Sequence, residues 1–422
     1  MMHRGMTRVA LAAAATTLSL AGTAAPASAA PHAAGSRAVP DAGARAGHEA
    51  TAYVLDEGTY NQAGTSVPGS VTPIRTATGT ARPAITTGYD SFAIALTPNG
   101  KTAYVTNTVS NTVTPITTAT NTADQPITVG DFPQAIAVTP DGKTAYAVSE
   151  GTPYSAADGT VTPITTATNT ARPPITVGQY PQGIAVTPNG KTAYVADYGS
   201  GTVTPIHTAT GRAGPPITAG DGPYAIAVTP DGKTAYVINA RSDTVTPITT
   251  ATNTAGPAIT VGYTPQAIAV TPDGKTAYVL VQGNDYPDGL GTVIPITTAT
   301  NTAGPAIAVG AQPESIAFTP DGKTAYVASE GSTPGQGEGT VTPITTATNT
   351  AGPPITVGSS PDAIVVTPDG KTAYVVNAGS GTVTPITTAT NTAGPPITVG
   401  DRPVAIVIAP AMRGTCHRHR RV

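Results

Sequence analysis

Residues 283–292 read Gly-Asn-Asp-Tyr-Pro-Asp-Gly-Leu-Gly-Thr. Asn284, Asp285 and Asp288 offer the hard oxygen donors that calcium takes, which makes this the best candidate cation loop in the chain. The spacing is not that of a helix-loop-helix calcium site, and a plain polar turn is the alternative reading. A second set of polar and aromatic residues stands before a small residue and an isoleucine in eight similar segments. These positions are Phe92, Gln134, Gln182, Tyr224, Gln266, Glu314, Asp362 and Val404. Amides, two acids and two aromatics brought together could stack on a small polar ligand and hydrogen-bond to it. Nucleophilic catalysis is poorly supplied. There is no Gly-x-Ser-x-Gly elbow. His207 stands alone where other copies have Thr, and the single cysteine, Cys416, sits beside His417 and His419 in a short basic tail. That tail could touch a metal, but no further ligand lies near it in sequence.

What must position these residues is a repeat. Thr-Pro-(Asp/Asn)-Gly-Lys-Thr-Ala-Tyr starts at Thr97, Thr139, Thr187, Thr229, Thr271, Thr319 and Thr367. Each unit holds four strand candidates, for example Gly183–Thr187, Thr192–Ala196, Thr202–Thr208 and Pro216–Ala219, here called a to d. The a–b connection places Pro, Asp and Gly as a compact hairpin requires. Four-stranded antiparallel units at this period predict a β-propeller. Thr-Ala-Tyr occurs eight times, but strand a is shifted: its first copy follows a b–c–d set and its last, Val404–Ala409, has nothing after it. The count predicts an all-β propeller of eight blades over 51–410, closed by joining three N-terminal strands to one C-terminal strand; seven blades is the alternative. Closure would remove an aggregation-prone edge. A proline recurs in every strand c (Pro73, Pro115, Pro163, Pro205, Pro247, Pro295, Pro343, Pro385) and predicts a bulge or bend there. In strand a, the small residues of Ala-Ile-Ala-Val are expected toward the axis and the branched ones between blades.

Tyr104-Val105-Thr106-Asn107 spells the tetrapeptide after which the YVTN propeller repeat is named, and the surrounding pattern resembles that family over most of 51–410. The resemblance implies the fold. For function it implies several things, because related propellers include surface-layer proteins, lactonase-like enzymes and quinoprotein-like subunits. The chain has no Trp, so the docking expected of a quinoprotein-type propeller is missing.

Comparing the copies with one another shows where they differ. The a–b and c–d turns belong to one face, the bottom, and hardly change. From the Thr of Thr-Ala-Tyr to the Val of strand c the step is 11 residues in four blades, 17 in three and 20 in the composite one. This b–c variation lies on the top face, with the variable d–a loops. Of 24 acidic residues, 16 map to the top, against Arg241 and Arg402, whereas all seven lysines lie in the bottom turns. A field of one sign gathers oppositely charged partners. The net charge of -3 and the absence of a basic stripe point away from nucleic acid.

At the N-terminus, His3, Arg4 and Arg8 precede an apolar run, Val9 to Ala21, with Ala27-Ser28-Ala29 as a small-residue cleavage signal. The expected organisation is a signal peptide (1–29), a flexible leader (30–50), the propeller (51–410) and a basic tail (411–422). No segment is long enough to cross a bilayer. These readings favour a monomeric, secreted or envelope-associated scaffold. It would bind a protein, a cationic group or a small polar ligand on its acidic top without catalysis, with Ca2+ as the one candidate cofactor. The alternative is a lactonase- or lyase-like enzyme with a carboxylate site at the top of the central channel.

Overall fold

The computed structural model describes residues 50–60, 66–152, 158–282, 290–331 and 337–410. The proposed signal peptide, the leader up to residue 49, the tail with Cys416, and Asn284, Asp285 and Asp288 all lie outside the described residues.

Eight antiparallel sheets make eight blades. Seven are continuous in sequence, and the eighth pairs C-terminal Pro403–Ala409 with Thr51–Asp56, in the register Thr51↔Ala409 to Leu55↔Ala405. The innermost strands contact one another in a closed circle. Eight hydrophobic clusters of similar make-up fill the eight blade interfaces, and the composite blade takes part in two of them like any other.

The strand alternation serves both neighbours of a blade rather than the axis. Ile136 and Val138 pack against Ala93 and Ala95 of the preceding blade, while Ala135 faces Ile184 of the following one. Large therefore meets small across each interface, which fills it without voids. The expected axial placement of the alanines gives way to this two-sided burial.

Strand c is regular, contrary to the expected bulge: Tyr53↔Pro73 and Tyr104↔Pro115 sit in unbroken ladders. The irregularity falls on strand d, which splits into two-residue pieces such as Thr80–Ala81 and Ile85–Thr86. The missing proline N–H faces the outer strand, so the ladder lapses there and only the proline carbonyl is used, as by Arg82 N–H at 2.8 Å.

Two side-chain devices recur among the blades. A tyrosine of strand b, buried in every copy, reaches into the c–d turn of the next blade, as Tyr236 Oη does to Asn301 Oδ1 at 2.6 Å. At the end of strand b, Asn107 Nδ2 donates to the hydroxyls of Thr112 and Thr114, and its Oδ1 accepts from Gly88 N–H at 2.9 Å. The d–a loop must come close for this, and a Cβ on Gly220 would lie 2.6 Å from Asn239 Cγ. The asparagine of the Tyr-Val-Thr-Asn motif is thus a bracket beneath the top loops.

Candidate functional site on the top face

All eight positions singled out in strand a occupy one kind of site. Pairing runs Pro133↔Ser149 and then Ala135↔Val148, which leaves Gln134 as the extra residue of a β-bulge. Gln182, Gln266, Glu314 and Asp362 are placed in the same way. Register shifts also fall at Phe92, Tyr224 and Val404. A bulge re-aims one side chain out of the ladder, and such residues gather beside functional sites.

A second set of side chains meets this ring, and it was not singled out in the sequence. It comprises the residues just after strand b: Glu57, Thr108, Glu150, Tyr198, Ala240, Gln282, Glu330 and Ala378. Each backbone N–H donates to a d–a loop carbonyl of the same blade, as Glu330 does to Gln312 at 3.0 Å. Several of the side chains reach the bulge residue of the next blade. Gln182 Nε2 donates to Glu150, and Gln282 Nε2 donates to Glu314 Oε1 at 3.0 Å. The Tyr198 and Tyr224 rings meet edge to face at 6.4 Å, with the Arg241 guanidinium 4.4 Å from the Tyr198 centroid. Glu330 hydrogen-bonds Asp362. The signal was available in the sequence, since this position changes in chemical class from copy to copy, from Glu to Tyr to Ala, at the end of a strand whose opening Thr-Ala-Tyr is constant.

The ring is not uniform. Its aromatic members, Phe92, Tyr198 and Tyr224, are half-buried, and carboxyls collect on the opposite arc. Glu314 is 1% exposed, and its Oε2 has no hydrogen-bond partner among the described residues. Burial, then the charges of Glu330 and Asp362, push its carboxyl well above the usual range. Burial and Glu330 likewise raise Asp362 well above it, and burial raises Glu330, while Arg402 pulls both down. Arg402 is itself held by Glu57, 3.6 Å away. Removing a carboxylate from water beside others favours its neutral form, so this arc retains protons. Among the described residues, no three His, Cys, Asp or Glu side chains converge to hold a metal.

The d–a loops that frame the ring are strained. Asp90, Phe132, Tyr180, Thr264, Gln312 and Ser360 all have φ between 48° and 56°; a glycine, Gly222, takes this place in the seventh loop, and Arg402 in the eighth lies outside the left-handed region. Bulky and β-branched residues rarely adopt this left-handed conformation. Neighbouring loops impose it: Asn111 Oδ1 accepts from Phe132 N–H at 2.9 Å, and Asp243 Oδ1 from Thr264 N–H at 3.0 Å.

A family model described as a lactonase, 7-bladed beta-propeller, matches residues 117–218. No curated protein matches the chain. Among solved structures, Kuenenia stuttgartiensis hydrazine synthase is similar with 24% identity and a TM-score of 0.57, over 70% of this chain and 95% of that one. A functionally unknown protein from Desulfotomaculum acetoxidans gives 19% and 0.55, over 72% and 94%. The dihydro-heme d1 dehydrogenase NirN in complex with DHE gives 12% and 0.66, over 85% and 74%. The chain is a β-propeller. It has eight blades where the matching family has seven, and the matched residues stop well short of the carboxyl arc.

Proposed function

We propose that this propeller is a binding scaffold, exported by its N-terminal segment, whose ligand sits on the top face against the bulge ring. One observation carries this reading. Left-handed positions in the bottom turns and the short b–c turns hold Gly, Asn or Asp, but five of the d–a loops that frame the ring hold Phe, Tyr, Thr, Gln and Ser there at a conformational cost. Strain of ~1–3 kcal/mol per site persists where the displayed side chain is used. The test compares capture from culture-supernatant and envelope fractions by the intact chain and by a Tyr224→Ala, Glu314→Ala, Asp362→Ala variant. A molecule retained by the first and lost by the second, with similar melting curves, supports the scaffold; equal retention overturns it.

A hydrolytic reading is favoured by a different observation, the hydrogen-bonded Asp362–Glu330 pair, in which burial raises both carboxyls. One protonated and one ionised carboxyl could serve as acid and base on a lactone, in keeping with the lactonase family match. Hydrolysis of a lactone panel that is lost in Glu330→Gln would establish it, and no turnover of any lactone would remove it.

A further inference from the structure

The carboxyl arc lacks a partner that its chemistry calls for. Glu314 comes from the bulge of one blade, Glu330 from the b–c loop of the same blade, and Asp362 from the bulge of the next. Glu314 Oε1 is satisfied by Gln282, while Oε2, buried and unpartnered, is acted on by the Glu330 and Asp362 charges. Two residues earlier, Gln312 is 2% exposed; its Nε2 donates to Gly331 O at 3.1 Å, and its Oε1 has no partner among the described residues. An unsatisfied buried acceptor costs about 1–3 kcal/mol. Gln312 Oε1 is such an acceptor and Glu314 Oε2 becomes one when its carboxyl ionises; beside two further carboxyls, the two ask for a donor that carries positive charge. The charged groups facing the arc are Glu57 and Arg402, already paired with each other. Glu330 is the member partly open to solvent.

We propose that Glu314, Glu330 and Asp362, with Gln312, form a binding site for an organic cation, a primary ammonium or guanidinium group such as a lysine or arginine side chain presents. Its N–H donors meet Glu314 Oε2 and Gln312 Oε1, and its charge is matched by the carboxyl pair. A metal ion is disfavoured by the absence of a converging ligand set among the described residues. A neutral polyol would gain nothing from the acid surplus that surrounds the site. Because the empty arc holds protons, the cation displaces at least one on entry, and its affinity rises with pH. This assignment rests on the top-face scaffold reading and narrows it to one arc.

The probe is Nα-acetyl-lysine methylamide, titrated calorimetrically into the full chain at pH 5.5, in acetate and in Mes, and at pH 8, in phosphate and in Hepes, none of which is a primary ammonium or guanidinium. The expected result is tighter binding at pH 8, with affinity rising about tenfold per displaced proton for each pH unit below the raised pKa of the empty site. The heat should differ between the buffers by the released proton. Glu314→Gln should weaken binding at least tenfold and remove the buffer difference, and an unchanged melting curve would show that it folds. The neutral norleucine analogue should not bind. No binding of the lysine probe at pH 8, equal binding of the norleucine analogue, or undiminished binding by a folded Glu314→Gln would each overturn the inference. So would calcium competing stoichiometrically with the probe, because the site would then be a metal centre. If the probe fails while Tyr224→Ala still abolishes capture from the fractions, this inference falls and the scaffold reading stands.

Discussion

The bottom and top of the disc are built from the same repeat but treat the backbone differently. On the bottom, every turn that needs positive φ has Gly or Asn, from Gly100 and Gly142 in the a–b hairpins to Asn121 and Asn169 in the c–d turns. Five of the seven lysines there lie close to an Asp of their own turn, as Lys233 and Asp231 do at 3.2 Å, both largely exposed. On top, Phe132, Tyr180 and Thr264 adopt the same backbone conformation without the residues suited to it. The bottom is optimised as structure, whereas the top accepts local strain to present particular side chains. Function is to be sought where the repeat is least comfortable.

The largest expected effect tests whether closure joins both faces into one cooperative unit. Deleting Pro403–Val422 removes an inner strand whose Val404, Ala405, Ile406 and Val407 are buried in two blade interfaces. At ~1.5–3 kcal/mol for each large apolar side chain, the loss is of order 5–10 kcal/mol, comparable with the whole stability of many domains. Calorimetry should show the main transition abolished or broadened. A sharp, unshifted transition would mean that the blades do not depend on the ring.

Next comes Asp197, which replaces the bracket asparagine of strand b. It accepts from Thr202 and Thr204, yet burial raises its carboxyl to about 6 from 3.8. A group with a raised folded pKa contributes fully below its unfolded pKa and loses that contribution as pH rises through the folded one. The native chain is thus weakened at pH 7 by about 3 kcal/mol relative to acid, at about 1.4 kcal/mol per unit. Asp197→Asn, matching Asn107 and Asn239, should be the more stable protein at pH 7, with the advantage shrinking toward pH 4. Denaturant melts at both pH values check this, and a pH-independent difference would refute it.

What the sequence made legible was whatever differs between copies or can be counted. The shifted strand count predicted closure, and the residue types of the ring marked Gln134, Glu314 and Asp362 as unusual. The bulges that expose them were not legible, because every copy bulges and a feature common to all copies cannot be seen by comparing them. Proline in strand c does signal an irregularity, but it falls on strand d, since the lost N–H disturbs the partner it would have faced, not the strand that carries it. The left-handed backbone at Phe132 and Thr264 was hidden for the opposite reason: their residue types argue against the conformation, which loops such as that of Asn111 impose from outside. Glu330 and Gln282 lay in variable loops whose lengths were compared, not their first residues.

A smaller effect sharpens the contrast between the faces directly. Thr264→Asn should stabilise the protein by about 1 kcal/mol, because Asn tolerates positive φ and Thr does not. The converse on the bottom, Asn253→Thr, should destabilise by at least as much, since it also removes the acceptor of Tyr194 Oη at 2.5 Å. Equal and negligible effects would erase the difference in strain.

The smallest effect concerns a gap in the tyrosine belt. Tyr53, Tyr104, Tyr194, Tyr236, Tyr278 and Tyr326 each donate to an asparagine of the next blade. Tyr374 meets a blade with Gly79 there and donates to the Thr76 carbonyl at 2.9 Å. Tyr146 meets Gly211 and finds no acceptor among the described residues. Gly211 has φ 63°, close to the 51–55° of its asparagine counterparts, and an added Cβ would have no atom within 4 Å. Gly211→Asn therefore fits the existing backbone and supplies the acceptor. The hydrogen bond contributes ~0.5–1.5 kcal/mol, and restricting the unfolded chain contributes ~0.4–1 kcal/mol. Against these stands the residual cost of a left-handed asparagine. A net gain of about 1 kcal/mol is expected in denaturant melts. The assignment is specific to the hydroxyl, so most of that gain should vanish in a Tyr146→Phe background. In the parent protein Tyr146→Phe should cost less than Tyr236→Phe, which breaks an existing bond. If Gly211→Asn stabilises equally with Phe at position 146, the gain comes from the unfolded chain alone, and the belt is held by packing rather than by its hydroxyls.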